Sequence, residues 1–377
     1  MERRQFLKLS AVGAVATITP TIARSAPITY RDSFDLTVDR ADKEMIDGIP
    51  IFGIFFMEDG KNPPPVLRAR EGETIEIRIT NRDNRPHGFA ITGVPQASIA
   101  SIPPNGGVVT KRFVAPVGGS YLFHDPINAP VNRLLGLYGG FIVAPKLGTT
   151  LAGSPTPFSR NSQTNEVRAL FDALGAHTRF PGNQWDPNDA ARDKVWMFSQ
   201  IDPLLCQRID RGEYVDGASV AASFLPRYFV INGLSGFDTA DHDEIDDPKH
   251  EAARAIMIRG REGQPTLIRS MNAGIVTHSP HIHGNGIFDL TRQVGDTVAC
   301  SSNIYEVDTW TMAPLARKDV LLPFNKPVDI PDAAWPPEQE PFPLRYVMHC
   351  HTEMSTTAGG GNYPQGLTTH WEMTGHL

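Results

Sequence analysis

Seven of the chain's twelve histidines fall in four short stretches. These read Arg85-Pro86-His87-Gly88, Phe123-His124, His278-Ser279-Pro280-His281-Ile282-His283-Gly284 and His349-Cys350-His351. Side chains at i and i+2 of a strand face the same way, so His281 with His283, and His349 with His351, each present two imidazoles in one direction. Cys350 lies between the last two and faces the opposite side, toward the region that His278 can reach. Imidazole ligates copper, zinc, iron and nickel, whereas one thiolate combined with imidazoles in a β scaffold favours copper. The candidate ligands are therefore His87, His124, His278, His281, His283, His349, Cys350 and His351, and the expected cofactor is copper. A single strand carrying His349-Cys350-His351 would join a thiolate site to an imidazole site through covalent bonds.

Such a site needs strands to hold it. Glu73-Thr74-Ile75-Glu76-Ile77-Arg78-Ile79-Thr80 alternates apolar with polar residues, as a half-buried strand requires. Similar signals recur at 107–113, 119–123 and 140–143, and again at 195–198, 228–232, 255–259, 266–271, 309–312, 319–324, 344–349 and 367–373. The 33 glycines and 32 prolines outnumber any helix-like stripe, and one short helix is expected at 167–174. The fold class is all-β, with two Greek-key sandwich domains at 27–146 and 194–377. Residues 147–193, rich in Gly, Ser, Asn and Asp, form the connection, and the acidic run 238–251 is a solvated loop.

A chain of 377 residues, 40% hydrophobic, can bury a large core. The net charge of -7 and the lack of a basic stripe with interleaved aromatics argue against a nucleic-acid partner. Met1-Glu2-Arg3-Arg4-Gln5-Phe6-Leu7-Lys8, a short apolar stretch to Ala23 and the small residues after it read as a twin-arginine export signal over 1–26. The expected location is periplasmic or secreted. No stable membrane insertion is expected, because the apolar run is short and broken by Pro20. Cys206, Cys300 and Cys350 are too few for a disulfide framework. Cys206 and Cys300 are left either as a pair or as two buried thiols.

With these motifs in place, the chain resembles the multicopper oxidases over about residues 30–377. Gly72 to Asn81 is similar to the strand before their first histidine motif, and Gly136 to Val143 to the segment after their second. His278, His281, His283 and Gly284 match the family's HxxHxHG, and His349-Cys350-His351 its HCH. The resemblance implies two cupredoxin domains. It assigns His87, His124 and His351 to one type 3 copper, His283 and His349 to its partner, His281 to type 2 copper, and His278 and Cys350 to type 1 copper. It further implies dioxygen as electron acceptor and a homotrimer, in which His87 and His124 of one subunit meet the HxH and HCH motifs of the next.

The chain departs from the family's pattern at four places. Arg85 stands where a type 2 histidine belongs, Pro126 where a type 3 histidine belongs, Ser355 where the second type 1 histidine is expected, and Leu367 at the axial position. His281, His283 and His349 could hold a second copper with water or Asp125 completing it; His370, Met354 and Glu353 are candidates to supplement the thiolate site. Arg85 and Asp125 are the candidate catalytic side chains, Arg85 as a clamp for a carboxylate or oxyanion, or else as an ion-pair partner of Asp83. The expected function is an exported copper-dependent oxidoreductase acting on a small-molecule or metal-ion substrate with dioxygen. A non-catalytic periplasmic copper-binding or structural protein is the alternative. Copper nitrite reductase ranks lower, since its thiolate copper lies in the first domain and no cysteine precedes residue 206 here.

Overall fold

The computed structural model describes residues 27–61, 64–240, 248–338 and 342–377; the expected export signal at 1–26 lies outside them. Alternation along Thr74–Asn81 sets the first domain. Ile75, Ile77 and Ile79 are fully buried while Thr74 and Arg78 face solvent. This strand lies between Ser33–Glu44, in parallel, and Gly107–Val114, in antiparallel. With Pro50–Met57 they make a four-stranded sheet. A five-stranded sheet packs against it, in the spatial order Val66–Arg70, Tyr138–Ala144, Gly119–His124, His87–Ile91, Val94–Ile102. Phe56, Phe89 and Phe123 meet between the two at centroid separations of 5.2–5.8 Å. Each such buried aromatic contributes roughly 1.5–3 kcal/mol relative to exposure.

The second domain repeats the plan with a six-stranded sheet and a four-stranded sheet that includes Pro280–Ile282, Leu344–Cys350 and Thr368–Met373. Its core holds Trp196 stacked on Trp310, together with Ile268, Met348, Leu367 and Trp371. These are two cupredoxin-like domains, each a pair of curled sheets.

Residues 147–193 share an apolar core with the second domain. The helix Asn165–Ala173, capped by the Thr164 hydroxyl accepting from Val167 N, turns Val167, Leu170 and Phe171 onto Leu267, Phe288 and Leu321 of the second domain. Between the domains, Leu122, Tyr138 and Ile142 meet Val195, Met197 and Met271. Buried charges are paired across the same contact: Arg269 and Arg68 hold Asp193 at 2.8 and 3.2 Å, and Ser120 donates to Asp319 at 2.6 Å. Burial works against the charge on Asp193, but the two guanidinium groups outweigh it and lower its pKa. All three cysteines are free. Cys206 and Cys300 belong to different apolar clusters, and burial pushes both thiols up to about 12.

Candidate metal centre

Pairing of Pro280–Ile282 with Leu344–Cys350 sets His281 directly opposite His349. The i, i+2 geometry then brings His283 and His351 to the same face. Ring centroids lie 4.5 Å apart for His281 and His283, and 4.6 Å for His281 and His351. One ring nitrogen from each of His281, His349 and His351 falls within 4.8 Å of the others. His283 Nε2 approaches His349 Nε2 at 3.1 Å. The strand can turn away immediately after His283 because Gly284 has φ +77°, and a Cβ there would sit 2.3 Å from the Tyr346 ring. His283 and His351 are exposed, and the cleft beside His283 is lined by Asn285, Glu306 and Asp308.

Which of a histidine's nitrogens can bind a metal depends on what holds the other. Thr309 Oγ1 donates to Asp308 Oδ1 at 3.0 Å, so it accepts from His281 Nδ1 at 2.9 Å. The Nε2 lone pair of His281 is thereby free. His349 directs Nδ1 to the Cys350 carbonyl at 3.4 Å, which likewise leaves Nε2 available. Burial, reinforced by neighbouring imidazoles, lowers the pKa of both rings and favours their neutral, ligating form. This donor set suits an imidazole-preferring ion such as copper.

The first-domain histidines differ from each other. His124 places Nδ1 at 3.2 Å from the Asp125 carbonyl, and burial lowers its pKa, so its Nε2 is a competent donor. His87 is buried between two carboxylates, with Nδ1 2.7 Å from Asp125 Oδ2 and Nε2 2.8 Å from Asp83 Oδ2. Burial works against its charge, yet the hydrogen bonds to Asp125 and Asp83 outweigh it and raise its pKa. With a carboxylate facing each ring nitrogen, this ring points no lone pair at a metal in this arrangement. Asp125, buried beneath it, also accepts from Gly88 N, Ile127 N and Asn132 Nδ2 at 2.8–2.9 Å. Arg40 donates to Asp83, and Arg85 Nε lies 3.5 Å from Asp83 Oδ2. Arg85 and Asp125 are thus joined through Asp83 and His87 in one charge network.

The thiolate position brings His278 Nδ1 within 3.6 Å of Cys350 Sγ, in a fully buried setting beside Phe198 and Phe229. Burial lowers the His278 pKa to about 4. Ser355, also fully buried, donates its hydroxyl to the Thr352 carbonyl at 2.7 Å, and Leu367 packs in the core. Of the candidates to supplement the site, His370 is tied to Glu372 at 3.3 Å and Met354 is half exposed. Gln200 approaches His278 Nε2 at 2.5 Å. The alternation pattern gave no sign of this neighbour, which is 78 residues away in the chain, or of the Asp308-Thr309 support to His281. Tyr363, on the long loop after Cys350, meets His349 edge-on at 5.8 Å.

A multicopper oxidase family model matches residues 54–148. The blue copper oxidase from Nitrosomonas europaea shares the fold with TM-score 0.62 at 21% identity, over 90% of this chain and 85% of that one. Over residues 54–148 the chain is similar to the multicopper oxidases. Copper-containing nitrite reductase of Neisseria gonorrhoeae is 32% identical over 152 residues, covering 37% of this chain and 38% of that protein. Copper resistance protein A of Pseudomonas syringae pv. tomato is 31% identical over 114 residues, covering 28% of this chain and 17% of that protein. The match thus spans well under half the length of these curated relatives. Against the multicopper oxidase pattern, the second domain assembles four imidazoles on one face. The first domain contributes one histidine with a free Nε2 and one held between carboxylates.

Proposed function

We propose that this chain is an exported copper-dependent oxidoreductase, acting on a small-molecule or metal-ion donor with dioxygen as acceptor. The convergence of His281, His349 and His351, with His283 alongside and with His281 and His283 lining an open cleft, carries this reading. Copper in that position supplies one-electron exchange and open coordination for a substrate oxygen. The protein's own part is to present neutral imidazoles in fixed orientation. Asp308 acting through Thr309 sets the ring of His281, and the Cys350 carbonyl sets that of His349. The exposed edge at His283 admits substrate, and the cleft there is lined by Asp308 and by Glu306, itself paired with Arg179. The paired Arg3-Arg4 with the apolar stretch behind it supports export to the periplasm or beyond.

In a homotrimer, His124 of one subunit would face the imidazole cluster of the next, which accords with its free Nε2. Nitrite is a second candidate acceptor, favoured by the stretch of 32% identity with a nitrite reductase. The test is reconstitution with Cu(II), followed by metal analysis, EPR and light scattering, and then dioxygen and nitrite consumption with a phenolic donor and with Fe(II). Copper bound with dioxygen consumed supports the oxidase, and nitrite consumption alone selects the reductase. Bound copper with no turnover leaves a copper-binding protein. Absence of bound copper overturns all three.

A further inference from the structure

The separation of His278 Nδ1 and Cys350 Sγ, 3.6 Å, does not by itself distinguish a hydrogen bond from two ligands sharing a metal. The proton on His278 decides between them. Gln200 Oε1 accepts from Ile275 N at 2.8 Å and from Val276 N at 3.2 Å, which fixes the amide with its NH2 toward His278. Gln200 Nε2 therefore donates to His278 Nε2. An imidazole that accepts at Nε2 carries its proton on Nδ1. That N–H points at Cys350 Sγ, and a protonated Nδ1 has no lone pair to give a metal.

Reversing the tautomer would set Nε2–H against the Gln200 NH2. Flipping the amide instead would turn that NH2 against two backbone N–H groups. The amide is also built into the backbone, since a Cβ on Gly274 would lie 2.0 Å from Gln200 Oε1. The rest of the position agrees. Ser279 N and Thr352 N donate to Cys350 Sγ at 3.3 and 3.4 Å, and Ser355 spends its hydroxyl on the Thr352 carbonyl.

We propose that the thiolate position of this chain holds no metal: Gln200 fixes the His278 tautomer whose Nδ1–H donates to Cys350, leaving a hydrogen-bonded pair where the family places type 1 copper. Electrons then do not enter through Cys350, and the donor binds at the imidazole face itself. This last consequence rests on the copper reading above, whereas the tautomer does not.

Two measurements on the full chain test it. Long-range 1H–15N correlation of His278 in the metal-free protein is expected to show the Nδ1–H form; the Nε2–H form overturns the proposal. Visible spectra after Cu(II) loading are expected to lack an intense sulfur-to-copper band in the wild type. A band that C350S removes overturns the proposal. Q200E keeps the shape but offers a carboxylate that accepts from Nε2–H, freeing Nδ1. Combined with S355H it is expected to bind about one further equivalent of Cu(II) and gain the band. A folded Q200E/S355H protein without the band overturns the assignment of the block to Gln200. If the wild type takes up no copper at all, the reading of the imidazole cluster fails, while the NMR result still decides this proposal.

Discussion

Replacing His87 with leucine separates a structural imidazolium from a metal ligand. In the wild type His87 donates at 2.7 Å to Asp125 and at 2.8 Å to Asp83, and both carboxylates are fully buried. A hydrogen bond to a charged group contributes about 1.5–3 kcal/mol. Asp83 keeps Arg40 and Asp125 keeps Gly88, Ile127 and Asn132, so neither is stripped of partners. The expected loss is the lower half of the about 3–5 kcal/mol found when one partner of a buried pair is removed. Urea unfolding with unchanged m-value measures it.

The sign with pH follows from the raised pKa of His87. Its contribution is fully present below the unfolded value of 6.5 and declines as pH rises through the folded pKa. The deficit of His87→Leu is therefore largest near about pH 6 and shrinks under alkaline conditions. Asp83 works in the opposite sense. Burial opposes its charge, but hydrogen bonds from His87 and Arg40 outweigh this and hold its pKa well below the usual carboxylate range. Its contribution is present above the unfolded value of 3.8 and is lost as pH falls toward the folded one. Copper uptake should be unchanged in His87→Leu. A loss below about 1 kcal/mol at about pH 6, or the disappearance of bound copper with stability retained, refutes the reasoning.

Other outcomes follow from the same geometry. His281→Ala and His349→Ala should each abolish stoichiometric Cu(II) binding in competition titrations while leaving the far-UV spectrum unchanged. Thr309→Val removes the acceptor that orients His281 and should weaken Cu(II) by about 10–100-fold by the same titration. Gly274→Ala should displace the Gln200 amide and, by leaving buried donors unpaired, cost about 1–3 kcal/mol in urea unfolding. Mass analysis of alkylated protein should show Cys206 and Cys300 unpaired even after oxidative refolding, since they lie in separate cores.

Much of the scaffold was legible because strand burial has a period of two. The alternation at 73–80 became Thr74–Asn81, and the expected helix at 167–174 became Asn165–Ala173. The acidic run 238–251, expected as a loop, is helical at both ends, in Phe237–Ala240 and Pro248–Ile256, and two of the expected strands differed for tertiary reasons. Residues 309–312 pair only through isolated bridges to His278 and His281, and 255–259 is split between the end of a helix at Ile256 and a short strand at Ile258–Gly260. The connection 147–193 is rich in Gly, Ser, Asn and Asp, yet the apolar stripe of its one expected helix finds a partner surface that only the folded second domain supplies.

The same division holds at the site. The i, i+2 spacing of His281 with His283 and of His349 with His351 already determined that each pair presents two imidazoles in one direction, because side-chain direction in a strand is a local property, whereas the pairing of the two strands brought both pairs to one face. Where His278, His87 and His281 keep their protons was decided by the tertiary structure. His278 takes its tautomer from Gln200, His87 its charge from Asp83 and Asp125, and His281 its free nitrogen from Thr309. A histidine's residue type and spacing are the same in all these states. The lone pair available to a metal depends on hydrogen-bond partners that lie outside the histidine's own strand, and folding brings those partners together.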